Sequence, residues 1–208
     1  MTNLFLDIAD VVPRLNGWCS VNKAQHLAAM VCALQPVTAV EIGVFGGKSL
    51  IPMAMAMKRI GKGMIIGIDP WDSQASAEGQ TEEHRKWWGE VCNHELVYQA
   101  FMQAVHKTGT QNCVKVIRKR SDDVEPPPGV QLLHLDGNHG QQAYIDIRRF
   151  APSVVMGGIV VLDDLGWSGG AVGQSEKHLL EHGYILLSKT YNKDKAGDDD
   201  WASYQRVR

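Results

Sequence analysis

Residues 38–49 read Thr-Ala-Val-Glu-Ile-Gly-Val-Phe-Gly-Gly-Lys-Ser. Thr38 to Val44 is a run of β-branched and aliphatic residues interrupted by Glu41 and Gly43, and it breaks at a glycine corner. Helical spacing follows over Ser49 to Arg59, SLIPMAMAMKR. Pro52 falls in the first turn of that helix, where its missing N–H costs little. A short apolar run that ends in a glycine corner and leads into a helix describes a strand buried on both faces, one unit of a parallel sheet.

The pattern recurs along the chain. Met64 to Ile68, Val130 to Leu135 and Gly158 to Leu162 are further apolar runs, and Val114 to Arg118 is a weaker one with basic residues alternating into it. Helical spacing covers Asn22 to Leu34, with Asn22 as N-cap and Pro36 closing it, and also Gln141 to Phe150 and Ser175 to Glu181, the last stopping at Gly183. This alternation predicts an α/β fold, a Rossmann-like, doubly wound and mostly parallel sheet. Gly183 to Thr190 and Trp201 to Val207 are strand-like and joined by 192–200, too short for a crossover helix, so they are expected to form a C-terminal antiparallel hairpin. The chain is expected to be one domain over 1–208, with an N-terminal arm and helix over 1–35. A lid-like insertion is expected over 71–109, because about forty residues separate the second strand from the third. That insertion carries Trp71, Trp87 and Trp88, the charged stretch Glu82 to Lys86, and helical spacing from Glu95 to Val105.

Composition agrees with a single globular domain. The 208 residues are 44% hydrophobic and 21% charged, which excludes a disordered chain. A net charge of -2 speaks against a nucleic-acid partner, since domains that grip phosphate backbones are usually basic. The four cysteines, Cys19, Cys32, Cys92 and Cys113, make no CxxC pair and read as reduced thiols of a cytoplasmic protein. The N-terminus has no basic stretch and no long apolar run, so no signal peptide is expected. The most apolar windows, such as Ser49 to Met57, are too short to span a bilayer, so no membrane partner is expected.

Three groups of residues carry chemistry. Glycines at a strand-to-helix corner let backbone approach a ligand, and the helix start offers free N–H donors. The spacing matches neither GxGxxG nor the phosphate loop GxxxxGKS, and Glu41 would repel a pyrophosphate while suiting an ammonium or sulfonium. The second strand ends Gly67-Ile68-Asp69-Pro70-Trp71, where an aspartate is placed to accept ribose hydroxyls or, alternatively, to cap a turn. Leu135-Asp136-Gly137-Asn138-His139 and Val161-Leu162-Asp163-Asp164 end the next two parallel strands. Their three carboxylates converge at one edge, where a hard divalent cation would relieve their repulsion, all-oxygen ligation favouring magnesium, manganese or calcium over zinc; the alternative is that Asp163 or Asp164 caps a turn. His134 shares a face with Asp136 and reads as a core histidine. His139 lies in the loop beside the carboxylates, where an imidazole titrates near physiological pH, as a general base or as a loop residue.

The motif E-x-G-x-x-x-G-x-S followed by G-I-D-P resembles the cofactor site of class I S-adenosylmethionine-dependent methyltransferases. That resemblance implies that Glu41 and Gly43 line the methionine end, with Phe45 and Ser49 completing its floor and Asp136 close by. It implies that Asp69 holds the ribose and that Ser121 and Asp122 meet the adenine. Trp71 would cover the adenine face, or else anchor the insertion in the interior. L-D-G-N-H and G-G-I-V-V-L-D-D are similar to motifs of the metal-dependent small-molecule O-methyltransferases, both catechol-type and natural-product sugar-modifying, over about Glu41 to Trp167. The catechol group has Asn as its last metal ligand, and Asp164 here leans toward the sugar branch. His139 stands where that group carries its catalytic lysine. The implied reaction is methyl transfer from S-adenosylmethionine to a hydroxyl of a small molecule with vicinal oxygens. Magnesium on Asp136, Asp163 and Asp164 would acidify that hydroxyl and His139 would take its proton. A homo-oligomer is compatible with all of this. A nicotinamide oxidoreductase is disfavoured by the glycine spacing, while a metal-independent methyltransferase and a cofactor-binding protein without catalysis stay open.

Overall fold

The computed structural model describes residues 3–166, 171–190 and 200–208. The strands are β1 (Thr38–Ile42), β2 (Met64–Ile68), β3 (Val114–Ile117), β4 (Val130–Leu135), β5 (Val154–Asp163), β6 (Tyr184–Thr190) and β7 (Trp201–Arg206). They form one sheet in the order β3-β2-β1-β4-β5-β7-β6. The first five are parallel, and β7 runs antiparallel to both β5 and β6. The expected α/β fold and the C-terminal hairpin are therefore both present. Most of the link expected over 192–200, together with Trp167, lies outside the described residues.

The helices are α1 (Leu4–Val11), α2 (Val21–Leu34), α3 (Leu50–Ile60), α4 (Ser73–Ala77), α5 (Glu82–Lys86), α6 (His94–Thr108), α7 (Gln141–Phe150) and α8 (Val172–Glu181). The N-cap of α2 is Ser20, not Asn22: the Ser20 hydroxyl accepts from Lys23 N at 3.0 Å, which starts the helix earlier than the spacing predicts. Gln35 in the left-handed region and Pro36 end it. Helix α6 buries Phe101 and Val105 and is the crossover into β3, so the extra structure narrows to α4, α5 and the wide helical turn Trp87–Val91.

Alternation along the strands divides the core. Ala39, Ile65, Leu132, Ile159 and Val161 pack under α1, α2, α3 and α6, whereas Val40, Ile66, Leu133, Val160 and Leu162 pack with α7 and α8. Both faces are covered, which is why the strands are continuously apolar. The same parity decides where the polar residues go. Glu41 pairs in register with His134, and His134 with Val161, so Glu41 and His134 face α2. Asp136 and Asp163, two residues further along their strands, fall on that same face. Among the described residues no helix is long and apolar enough to cross a membrane.

Candidate active site

A cavity of about 830 Å³ opens beyond the C-terminal ends of β1, β2, β4 and β5. Strand order reverses between β1 and β4, and a crevice at such a point is where open α/β sheets bind ligands. Its size suits a small molecule together with a nucleoside-sized group.

The glycine corner forms one wall. Gly43 has φ +86°, and a Cβ there would lie 2.1 Å from the Asp136 carbonyl oxygen, so only glycine lets β1 and the end of β4 come this close. Asp69 organises the corner. Its Oδ2 accepts from the N–H groups of Val44 and Phe45, each at 2.9 Å, and its Oδ1 accepts from Trp71 N at 2.7 Å. A carboxylate accepts about four hydrogen bonds, so backbone uses most of its capacity before any ligand arrives. Burial lifts the Asp69 carboxyl above its ordinary value, and those backbone donors oppose the lift.

Three expected cofactor residues are placed elsewhere. Glu41 is fully buried behind the corner, its oxygens taken by the Ser49 hydroxyl at 3.0 Å and His134 Nδ1 at 2.9 Å, and it does not line the cavity. Burial, followed by Asp136, raises Glu41 well above its usual range, while burial, followed by Lys23, lowers His134 well below its own. Both shifts favour the uncharged forms of this hydrogen-bonded pair. Trp71 is the interior anchor, 2% exposed, with Nε1 donating to Phe45 O at 2.8 Å and its ring stacked on Phe101 at 5.6 Å. Asp122 is exposed outside the cavity and accepts from Gln142 at 3.0 Å. Gly43, Phe45, Ser49, Asp69, Ser121, Asp136, His139, Asp163 and Asp164 all line the cavity.

Near Ser121 stands a group that local motifs did not single out. Gln142 donates to Ser121 Oγ at 3.3 Å and to Asp146 Oδ1 at 2.9 Å, and Asp146 is buried and lines the cavity. The roof is aromatic. Trp18, from the N-terminal arm, stacks on Phe45 at 5.4 Å and meets Trp87 and Trp88 edge-on at 5.4 and 5.7 Å. The arm and the insertion thus close over the corner together. The insertion is also tied to the far side: Asn138 Nδ2 donates to Glu78 O at 2.6 Å and Arg120 pairs with the Glu78 carboxylate at 2.6 Å.

The acidic floor differs from expectation in one decisive way. Lys23, from the first turn of α2, is 1% exposed, with Nζ 3.4 Å from Asp136 Oδ2 and in contact with Asp163 Oδ2. Burial pulls the ammonium down, but Asp136, Cys19, Asp164 and Glu41 outweigh it and hold the group above its ordinary value. Burial lifts Asp136 to about 6, with Lys23 opposing and Asp164 adding to the lift. The neighbouring Cys19 thiol is pushed up to about 12 by burial, which keeps it unreactive. Among the described residues, the side chains whose ligand atoms converge within 4.8 Å are His134, Asp136 and Asp163, with His134 where Asp164 was expected. Asp164 instead lies beside His139, Oδ2 to Nδ1 at 3.2 Å. Burial lowers His139 from its ordinary value, with the Asp136 charge opposing, a shift that favours the uncharged imidazole. A divalent cation does not fit this floor as it stands, because an ammonium already lies between the carboxylates that would bind it.

A family model described as a methyltransferase domain matches residues 40–165. Among solved structures, the chain is similar to the O-methyltransferase TomG from Streptomyces achromogenes, involved in tomaymycin synthesis and solved with S-adenosylmethionine. The TM-score is 0.66 at 15% identity, over 100% of this chain and 91% of that one. It is similar to an O-methyltransferase from Bacillus cereus in complex with S-adenosylhomocysteine, at TM-score 0.66 and 12% identity over 99% and 92% of the two chains. It is similar also to the S-adenosylhomocysteine-bound Podospora anserina methyltransferase PaMTH1, at TM-score 0.65 and 13% identity over 100% and 89%. At such identities the likeness is one of fold. No curated protein sequence matches the chain.

Proposed function

The chain belongs to the methyltransferase-domain family, and we propose that it transfers the methyl group of S-adenosylmethionine to a hydroxyl oxygen of a small molecule. The observation that carries this is the single cavity that holds the glycine corner, Asp69 and Ser121 at one end and the His139–Asp164 pair at the other. The donor is supported by the ligands of the structural relatives, which are S-adenosylmethionine or its demethylated product. In this arrangement Asp69 fixes the Val44–Phe45 backbone against the nucleoside, and Ser121, Gln142 and Asp146 offer polar atoms to the adenine edge.

The chemical step is a displacement. The acceptor oxygen attacks the methyl carbon as the carbon–sulfur bond breaks, and its electron pair returns to sulfur, giving S-adenosylhomocysteine and a methyl ether. The sulfonium is already activated, so the protein contributes alignment and a place for the hydroxyl proton. With Nδ1–H turned toward Asp164, the other imidazole nitrogen of His139 is the basic one, and it accepts that proton. Trp18, Phe45, Trp87 and Trp88 give the acceptor flat apolar faces, which suits the C–H face of a sugar ring or an aromatic ring. The magnesium-assisted mechanism expected from the sequence has no part here while Lys23 occupies the floor.

Turnover of methyl-labelled S-adenosylmethionine against a panel of sugars, phenols and glycosylated aromatics tests the proposal. Labelled methyl ether is expected with at least one acceptor. His139→Ala should slow the labelled product by about 10²–10⁴-fold while leaving S-adenosylhomocysteine affinity unchanged. Unchanged turnover in that variant would remove His139 from the mechanism, and label appearing on nitrogen only would exclude the hydroxyl acceptor.

A further inference from the structure

We propose that Lys23 is a built-in cation that takes the position a divalent metal would hold among His134, Asp136 and Asp163, so that this enzyme works without a metal and carries a latent metal site beneath the lysine. The inference rests on the proposed methyl transfer only for its effect on turnover; the cation position itself is tested by ion binding alone.

Fully buried lysines are rare unless paired, because removing an ammonium from water is costly. Lys23 is as buried as any core residue, yet it is not in an apolar setting. Its stem leaves the first turn of α2, the helix that covers the face onto which strand parity puts Glu41, His134, Asp136 and Asp163. Its Nζ reaches Asp136 Oδ2 at 3.4 Å and touches Asp163 Oδ2. The Ser20 cap holds the Lys23 backbone N–H at 3.0 Å, so the start of the stem is fixed by the helix itself.

The surrounding donor set is of a metal-binding kind. His134 Nε2 is buried, has no hydrogen-bond partner, and lies 4.0 Å from Asp136 Oδ2. Together with one oxygen each from Asp136 and Asp163 it makes a nitrogen-and-carboxylate trio within 4.8 Å, the spacing of a bound ion. An ion at its centre and an ammonium touching the same Asp163 oxygen would be like charges at contact distance, so the two exclude each other. The ammonium is directed at the carboxylates of Asp136 and Asp163, and the His134 Nε2 lone pair that a metal ion would take is left without a hydrogen-bond partner. Lys23 does not line the cavity, and it acts as a positioning residue that holds Asp136 and Asp163 in place at the edge of the site.

Manganese is the probe, because its binding is read directly by electron paramagnetic resonance. The full-length wild-type protein should leave the free-manganese signal unchanged, and its turnover should be indifferent to a chelator. Lys23→Ala vacates the ammonium position and should gain a saturable site. Manganese should raise its melting temperature, and its affinity should exceed the wild-type value by about tenfold or more. Turnover of the variant should become dependent on manganese. Lys23→Arg keeps the charge and should bind no manganese. Should Lys23→Ala fold only with manganese present, the gain of the site is demonstrated. Should it fail to fold under any condition, the wild-type and Lys23→Arg titrations still decide. Stoichiometric manganese binding by the wild-type protein that is lost in Asp136→Asn would overturn the proposal, as would a folded Lys23→Ala that binds no better than wild type. Either result would leave the methyl-transfer assay unaffected, and an inactive wild-type protein would leave the binding result standing.

Discussion

Replacing Asp69 by Asn separates two roles for one carboxylate. If Asp69 served only to hold a ribose, Asp69→Asn would weaken the nucleoside and leave the fold intact. In the structure, however, Asp69 accepts from Val44 N and Phe45 N at 2.9 Å and from Trp71 N at 2.7 Å. Asn has one accepting oxygen. It retains two of these bonds without the charge, and its amide N–H₂ then faces the third N–H. A charge-assisted bond contributes roughly 1.5–3 kcal/mol against about 1 kcal/mol for a neutral one, so weakening two and losing the third costs on the order of 4–6 kcal/mol. Burial of the charged carboxyl is relieved in the variant, which offsets part of this and leaves a net loss of a few kcal/mol. Urea unfolding reads this as a lower midpoint with an unchanged slope. Calorimetry with S-adenosylhomocysteine should show binding lost in parallel, since the displaced corner forms the cavity wall. Asp122→Asn, at an exposed carboxylate outside the cavity, is the control and should stay within about 0.5 kcal/mol of wild type. An Asp69→Asn protein as stable as wild type but unable to bind the nucleoside would refute the account of the corner.

The remaining predictions use other parts of the same site. Gly43→Ala forces a Cβ to 2.1 Å from the Asp136 carbonyl at φ +86°, whereas Gly61→Ala at φ +75° meets no atom within 4 Å. The first should abolish nucleoside binding and lower the unfolding free energy by about 3 kcal/mol or more, and the second should show only the left-handed strain of roughly 1–2 kcal/mol. His134 is held below its ordinary 6.5 by burial, so the folded protein refuses a proton that the unfolded chain accepts. Its stability contribution is complete above pH 6.5 and falls as pH drops toward the folded value, by up to about 1.4 kcal/mol per pH unit; His134→Gln should flatten that limb of the stability curve, and an unchanged limb would show that His134 is not its source. Trp18 is 56% exposed, so Trp18→Ala should change stability by only about 1 kcal/mol and leave S-adenosylhomocysteine affinity intact while raising the acceptor KM. Unchanged KM for every acceptor would place acceptor binding away from the aromatic roof.

The sheet was legible because it depends on local patterning. Continuous apolar runs at β1, β2 and β4 report burial on both faces, and the Gly43 corner reports a close approach of backbone that the Asp136 carbonyl bears out. The site was legible only where chemistry follows a strand tip. Asp69, Asp136 and Asp163 line the cavity because each ends a parallel strand. Lys23 escaped because its partner Asp136 is 113 residues away and nothing local marks a helix lysine as buried. The signal that would have found it is parity: Glu41, His134, Asp136 and Asp163 share the face that α2 must cover, and Lys23 is the cation on that helix. The places of the tryptophans depend on equally distant contacts. Trp71 follows its strand directly, yet a backbone φ of +43° and its bond to Phe45 O turn it inward, and Trp18 arrives from the distant arm to roof the cavity.

The central claim is that the crevice between β1 and β4 is built for S-adenosylmethionine. Parallel calorimetric titrations of the wild-type protein with S-adenosylhomocysteine and with NAD test it most directly. One saturable site for S-adenosylhomocysteine, absent in Gly43→Ala, and no heat with NAD is the predicted result. Saturable binding of NAD with none of S-adenosylhomocysteine would contradict it.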